Sequence, residues 1–411
     1  MAISMDSVDE ARAKMGACIH PLGCEPVALR AALDRTLREA PSAARDQPPF
    51  ACSAMDGFAV RAADLRSGRL TVVGESAAGS PYAGAIGAGE AVRIFTGAPV
   101  PQGADRVVRQ EKTRRDGAAL WIDLDKIDLD KIDLDGKFAA NIRAIAIDFK
   151  AGEQLIGAGT RLNPRHIALL AAAGVASVNA SRVPRIALLA TGSEIVAPGE
   201  KAGPHQIYDS VTFGIGAMVE KWGGFPVHRS ASPDEDEAVS GAVLEAIEGA
   251  DLAVVAGGAS VGDYDVVKRA LASRGLEVLV RQVAVRPGKP TWFGTIGSKP
   301  VLGLPGNPAA AFVCAHLFLR HLIDRLLARE GPVNVIQAML DGVLRENPVE
   351  SYLRAHASVA ADARWMVRPF DNQDTSLVSV FAAANALIRR TAGAQPAAHG
   401  AIVEAMLLDS D

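Results

Sequence analysis

Arg185-Ile186-Ala187-Leu188-Leu189-Ala190-Thr191-Gly192-Ser193-Glu194 opens the part of the chain whose rhythm decides the fold. Residues 186–189 are a short apolar run that ends in a glycine-containing loop. The arrangement returns twice. Residues 252–255 lead into Gly257-Gly258-Ala259-Ser260-Val261-Gly262-Asp263-Tyr264-Asp265, and residues 301–304 lead into Pro305-Gly306-Asn307-Pro308. Residues 211–222, 263–273 and 309–327 are helical in pattern. Strand, loop and helix in alternation predict a mostly parallel sheet with helices on both faces, between Arg185 and about Leu327.

Outward from that unit the texture changes. Upstream, Ser7 followed by Glu10 predicts a capping box, and residues 27–37 carry apolar side chains at helical spacing, so the first forty residues read as helix. From Gln47 to Phe138, short apolar runs such as 70–73, 91–95 and 119–124 alternate with Gly, Pro and Asp turns, which predicts a β-rich unit. Asn163-Pro164 reads as a helix cap with proline in the first turn, 167–173 as the body and Gly174 as the stop. From Val333 onward, short strands and turns predict a small β domain. Ile122-Asp123-Leu124-Asp125-Lys126 recurs at 127–131, and its first four residues recur at 132–135. The five-residue period does not fit a calcium loop. It reads as a solvated insertion in a hairpin, with a low-affinity ion or partner site as the alternative.

The whole chain has 411 residues, which suggests two to four domains. It is 49% hydrophobic and 22% charged, with 43 Lys and Arg against 47 Asp and Glu, a formal charge of −4. That balance excludes a generic nucleic-acid binder, which carries a basic surplus. Four scattered cysteines (Cys18, Cys24, Cys52, Cys314) match neither a zinc knuckle nor a redox pair and fit a reducing cytosol. The acidic start lacks the pattern of a secretion signal, and no uninterrupted apolar stretch is long enough to span a membrane. A cytoplasmic location is expected.

In an open α/β sheet, ligands collect outside the carboxyl ends of the strands. Three such ends carry the glycine loops, and glycine lets a ligand approach the backbone. Taken singly, each loop is equally well an ordinary strand-to-helix turn. Together on one edge they point to a site. Glu194, Asp234, Asp263 and Asp265 accompany them, beside the basic turn Arg286-Pro287-Gly288-Lys289-Pro290. Carboxylates next to an anion pocket call for a cation between them, and hard oxygen ligands suit Mg²⁺. For the acids alone, compensation of helix N-termini remains the structural explanation. The residues themselves reach a phosphate-bearing ligand with a divalent cation beside a basic oxyanion pocket. No Ser-His-Asp or Cys-His pairing is readable, and the eight histidines form no metal-spaced cluster.

Six motifs stand in order along the chain. They are Ser53-Ala54-Met55-Asp56-Gly57-Phe58-Ala59-Val60, Phe95-Thr96-Gly97-Ala98-Pro99-Val100-Pro101 and Thr191-Gly192-Ser193-Glu194. Gly257-Gly258-Ala259-Ser260-Val261-Gly262, Pro287-Gly288-Lys289-Pro290 and Gly303-Leu304-Pro305-Gly306-Asn307-Pro308 follow. This series resembles the MoeA family, the molybdopterin molybdenumtransferases, which includes the E domains of gephyrin and its plant counterpart. The resemblance implies Mg²⁺-dependent insertion of molybdate into adenylyl-molybdopterin with release of AMP. It implies an elongated protomer of four parts in a homodimer: a discontinuous N-terminal linker domain (1–46 and 139–180) and a β-rich inserted domain (47–138). A MogA-like molybdopterin-binding α/β domain (181–330) and a C-terminal β-barrel (331–411) complete it. The cleft would be shared between the second domain of one protomer and the third and fourth of the other. Molybdoenzyme clients or other cofactor-biosynthesis proteins are the further partners implied, with no nucleic acid and no membrane.

By the same resemblance, Asp56, Asp148, Glu194, Asp234 and Asp265 match acids the family needs for activity, and Thr96 its functional threonine. Glu194, Asp234 and Asp265 would hold the metal. Thr191, Gly192, Gly257, Gly258, Ser260, Gly262, Arg286, Lys289 and the loop Pro305, Gly306, Asn307 would cradle molybdate and pterin phosphate. The chain departs from the family pattern at Ala51-Cys52, Phe58, Ala146-Ile147, Val211 and Ala309-Ala310, yet retains all five acids. An active transferase is therefore expected. The alternatives are a non-catalytic molybdopterin-binding or scaffold paralogue and a tungstate-preferring transferase.

Overall fold

The computed structural model describes residues 5–123, 140–229, 235–257, 266–329, 331 and 334–408. The unit that decides the fold is a six-stranded sheet in the order Phe225–His228, Arg185–Ala190, Leu252–Ala256, Lys299–Leu304, Trp292–Ile296 and Leu276–Val280. The first four strands run parallel and the last two antiparallel, so the sheet is mixed at one edge. Its three central parallel strands are apolar at successive positions because both faces are covered, whereas the edge strand Phe225–His228 is partly exposed. Ile186, Leu188, Leu252 and Val254 face one core, while Ala187, Leu189, Ala253 and Val255 face the other.

Helices Val211–Lys221 and Pro308–Cys314 pack on the first face, and Asp236–Glu248 and Val266–Ala272 on the second. Pro308–Cys314 continues through a π-helical turn, Ala315–Leu319, into Arg320–Leu326. Every residue from 309 to 319 is buried, which is why this helix lacks a polar stripe. The first helix, Val8–Ala17, is closed by the predicted Ser7–Glu10 capping box and also packs on this unit, through Val8, Ala11 and Met15.

Residues 27–37 are not a helix. Cys24–Ala28 is a strand paired antiparallel with Ser177–Ser181, and Leu29–Ala31 is a single 3-10 turn. Val27, Ala32 and Leu37 instead fill a small core with Ile156, Leu162 and Leu170. The partner strand lies about 150 positions away, so local spacing carried no trace of it. The later helix forms as expected over Pro164–Ala172, capped by Asn163 and followed by Gly174 at φ +78°.

The β-rich unit is a second six-stranded sheet: Arg106–Arg109, Gly57–Val60, Glu90–Ile94, Arg69–Ser76, Ala119–Ile122 and Thr113–Asp116. Most of the acidic repeat lies outside the described residues. In the C-terminal part, Glu350–Val359, Trp365–Pro369, Val335–Leu340, Ile402–Leu407 and Ala386–Arg390 pair in turn, and the last pairs back with the first. The result is a closed five-stranded barrel. One short strand of the α/β unit, Val285–Arg286, adds in parallel to Glu350–Val359 from outside. That pairing ties the basic turn of the α/β unit to the barrel.

Candidate functional site

A cavity of about 840 Å³ opens at the carboxyl ends of the three central parallel strands. Each strand contributes to its wall: Thr191 and Glu194 after Arg185–Ala190, Gly257 after Leu252–Ala256, and Pro305, Gly306 and Asn307 after Lys299–Leu304. Arg286 and Lys289 bring two cations from the basic turn. Sequence reasoning named all eight of these residues, and the sheet brings them together. Gly192 lies in the loop between Thr191 and Glu194.

Backbone geometry explains why two of the loops meet. Gly257 has φ +94°, a conformation that disfavours other residues, and a Cβ there would lie 2.6 Å from the Thr191 carbonyl oxygen. The Thr191 amide in turn donates to Ala256 O at 2.9 Å. The Thr191 side chain is buried, and among the described residues its hydroxyl has no hydrogen-bond partner. A buried hydroxyl left unpaired is costly, which sets this group apart at the junction of the two loops.

The third loop is held from the barrel. Asn307 does not cap its helix with its side chain. Its Nδ2 instead donates to Thr375 Oγ1 at 2.8 Å, and the Ala309 amide donates to Thr375 O at 3.0 Å. Arg354, 2% exposed, organises the Thr375 loop from below: its Nη1 donates to Asp374 O at 2.9 Å. Thr375 and Ser376 therefore form part of the cavity wall. They were missed because they lie in a separate unit, without any spacing relation to the glycine loops. Asp209 was missed too. It lines the cavity while its Oδ1 accepts from the Thr212 amide at 2.9 Å, an arrangement in which an acid three residues before a threonine at a helix start is the legible signal.

Asp56, Thr96 and Asp148 do not line this cavity. Asp56 and Thr96 form a pair of their own in the β-rich unit. Asp56 Oδ1 accepts from the Thr96 amide and from Thr96 Oγ1, each at 2.8 Å. These two bonds, the backbone one first, hold the Asp56 carboxyl below its ordinary pKa, and the Arg93 guanidinium adds to the effect. Arg93 is itself fixed: it donates to Gly57 O at 3.0 Å and stacks over Phe58 and Phe95. Asp148 is exposed on the segment beside Gln47, to whose carbonyl its amide donates at 3.0 Å. Asp234, Asp265, Gly258, Ser260 and Gly262 lie outside the described residues.

Family models match along most of the chain. The MoeA N-terminal region (domain I and II) matches residues 6–174, a probable molybdopterin binding domain matches 187–325, and the MoeA C-terminal region (domain IV) matches 338–408. A molybdopterin molybdenumtransferase of Bacillus subtilis is 32% identical over 394 residues, covering 93% of this chain and 90% of that protein. The chain belongs to the MoeA family. A second molybdopterin molybdenumtransferase, from Nostoc, is 39% identical over 311 residues, 74% of this chain and 69% of its own length. Among solved structures, the molybdopterin biosynthesis MoeA protein of Pyrococcus horikosii superposes with a TM-score of 0.83 at 28% identity, covering 99% of this chain and all of that one. As a family member the chain is a transferase of molybdenum cofactor biosynthesis. Among the described residues, no helix is long and apolar enough to cross a membrane.

Proposed function

We propose that the chain inserts molybdate into adenylyl-molybdopterin and releases AMP, with Mg²⁺ as its cofactor. The observation that carries this reading is the meeting of Glu194, Arg286, Lys289, Thr191 and the 305–308 loop in one cavity at the strand ends. Two anions must come together there, and each group has a part in that.

Arg286 and Lys289 offset negative charge on the incoming tetrahedral oxyanion. The Thr191 hydroxyl, without a partner among the described residues, would be a donor for a phosphate or pterin oxygen. Absence of a side chain at Gly257 lets the ligand reach the backbone at the strand end. The clasp from Thr375 holds the 305–308 loop in one position, so little ordering is left to be done on binding. Glu194 supplies a carboxylate of the hard oxygen type that Mg²⁺ takes, and it would hold the ion together with Asp234 and Asp265. When bound, Mg²⁺ neutralises phosphate charge and polarises the phosphoryl group. The protein's part is positioning and charge compensation.

The Asp56–Thr96 pair, rigid and outside this cavity, fits a homodimer in which the β-rich domain of one protomer (47–138) completes the cleft of the other. Purified protein with molybdate, Mg²⁺ and adenylyl-molybdopterin should release AMP, and Lys289→Ala should abolish most of that release. Mixed Asp56→Ala and Asp265→Ala protomers should regain activity, whereas a site within one chain gives no rescue. Tungstate added in competition measures the preference between the two oxyanions. Pterin binding without AMP release would instead establish a cofactor-carrying protein.

A further inference from the structure

A larger cavity, of about 980 Å³, lies elsewhere and shares no lining residue with the cleft above. Six of its fifteen lining residues are arginines: Arg38, Arg161 and Arg165 on one side, Arg320, Arg325 and Arg329 on the other. The only carboxylate among the fifteen is Asp34, which pairs with Arg161 at 3.1 Å. In a chain of net charge −4, such a concentration of one sign is not a product of composition.

The two sides are firmly joined. The Leu37 amide donates to Thr160 O at 3.0 Å and the Gly159 amide to Leu37 O at 2.8 Å, which sets Arg38 beside the 159–165 segment. Ser181 Oγ donates to Leu327 O at 2.6 Å and the Leu22 amide to Leu326 O at 2.9 Å, which fixes the end of the helix that carries Arg320 and Arg325.

Some of these arginines have structural work of their own. Arg329, with 4% of its side chain exposed, bonds Asp324 through Nε at 2.5 Å and Trp222 O through Nη2 at 2.7 Å. Arg325 stands in the last turn of its helix, where a cation is favourable. Neither role accounts for the whole set. Arg329 Nη1 and Arg38 Nη1 are buried donors with no acceptor among the described residues. Arg38, Arg165 and Arg325 form no ion pair with a described carboxylate. Arg38 is half-buried while Arg165 and Arg325 are exposed, and guanidinium groups gathered with few acids between them repel one another. An anion in the cavity offsets that repulsion.

We propose that this basin is a second ligand site, for a small molecule carrying two or more linked phosphate groups. Guanidinium forks pair with phosphate oxygens in bidentate geometry, and forks arriving from two sides suit several phosphates rather than one. Among the described residues that line the cavity there is no aromatic ring, so they offer no platform on which to stack a nucleobase. Recognition is therefore of the phosphate chain. The site does not depend on the reading of the catalytic cleft.

Calorimetric titration of the full chain with tripolyphosphate tests this. Lys289→Ala, which weakens anion binding in the cleft, should leave a saturable site with a dissociation constant below about 1 mM. Adding R38Q and R325Q to that background should weaken this site about tenfold or more per arginine, as loss of a charged hydrogen bond predicts. Inorganic phosphate should bind at least about tenfold more weakly than tripolyphosphate. The R38Q/R325Q protein should release AMP at the wild-type rate and, without anion, melt within a few degrees of wild type, since the loss of the Arg325 charge at its helix end is worth no more than about 1 kcal/mol. Should it fail to fold, R38K/R325K keeps the charge, removes the forks and should show the same loss of binding. The proposal is overturned if Lys289→Ala removes all binding, or if the arginine variants bind as wild type does. It is equally overturned if they bind nothing new but change the oligomeric state, which would make the basin a contact between copies of the chain.

Discussion

Replacing Gly257 by alanine tests the central geometric claim, that two strand-end loops must touch to make the cleft. Two effects add at this position. The backbone sits at φ +94°, and forcing a residue with a Cβ into such a conformation costs about 1–2 kcal/mol. The new Cβ would also lie 2.6 Å from Thr191 O, when ordinary contacts begin near 3.4 Å, so one loop must shift by several tenths of an ångström or more. The obstructing atom is backbone and belongs to a residue of the cavity wall. Gly275→Ala separates the two effects, since Gly275 has φ +84° with nothing within 4 Å of its would-be Cβ. For a unit of this size, strain alone should lower the melting temperature of Gly275→Ala by about 2–8 °C and leave AMP release unchanged. Gly257→Ala should lose more stability and, because the cavity wall moves, about 10²-fold in rate. Thermal unfolding and AMP release on the same preparations read both. If the two variants lose equal stability and both keep full activity, the contact between the loops is not what forms the site.

Three further outcomes follow from other parts of the molecule. Thr96→Val removes one of two hydrogen bonds to Asp56, so the Asp56 carboxyl should titrate higher than in the wild type by NMR while the backbone bond keeps it partly lowered. Because folding lowers that pKa, the stability it contributes is present above the ordinary carboxylate range and is lost as pH falls through the lowered value. His316 is buried against Trp222 and Phe381, and burial pushes its pKa down to about 3. The unfolded chain binds that proton first, so stability should fall from about pH 6.5 downward by about 1.4 kcal/mol per pH unit, and His316→Leu should remove one proton's worth of slope in urea titrations at several pH values. Arg329→Met leaves the Asp324 carboxylate buried without its partner and should cost about 3–5 kcal/mol, while a second change, Asp324→Leu, should recover much of that loss in the same denaturation assay.

The residues alone reached the α/β unit because its three central parallel strands are covered on both faces. Apolar runs such as 252–255 therefore stand out between glycine loops. The capping box at Ser7 and the Asn163-Pro164 start were equally legible, since each depends on contacts within one helical turn. Residues 27–37 misled. Their apolar spacing serves a strand whose partner is Ser177–Ser181, and pairing over that distance leaves no local mark.

For the site, sequence by itself determined which loops carry the chemistry: glycines, acids and the basic turn are written into short segments. Tertiary structure alone decided that Thr191 lies against Gly257, its hydroxyl without a partner among the described residues, and that a barrel loop grips Asn307 through Thr375. It alone gathered six arginines from distant segments into a second cavity. The reason is physical. Short motifs encode bonds made within a few residues, while a cavity is made by whatever the packing of separate cores brings face to face.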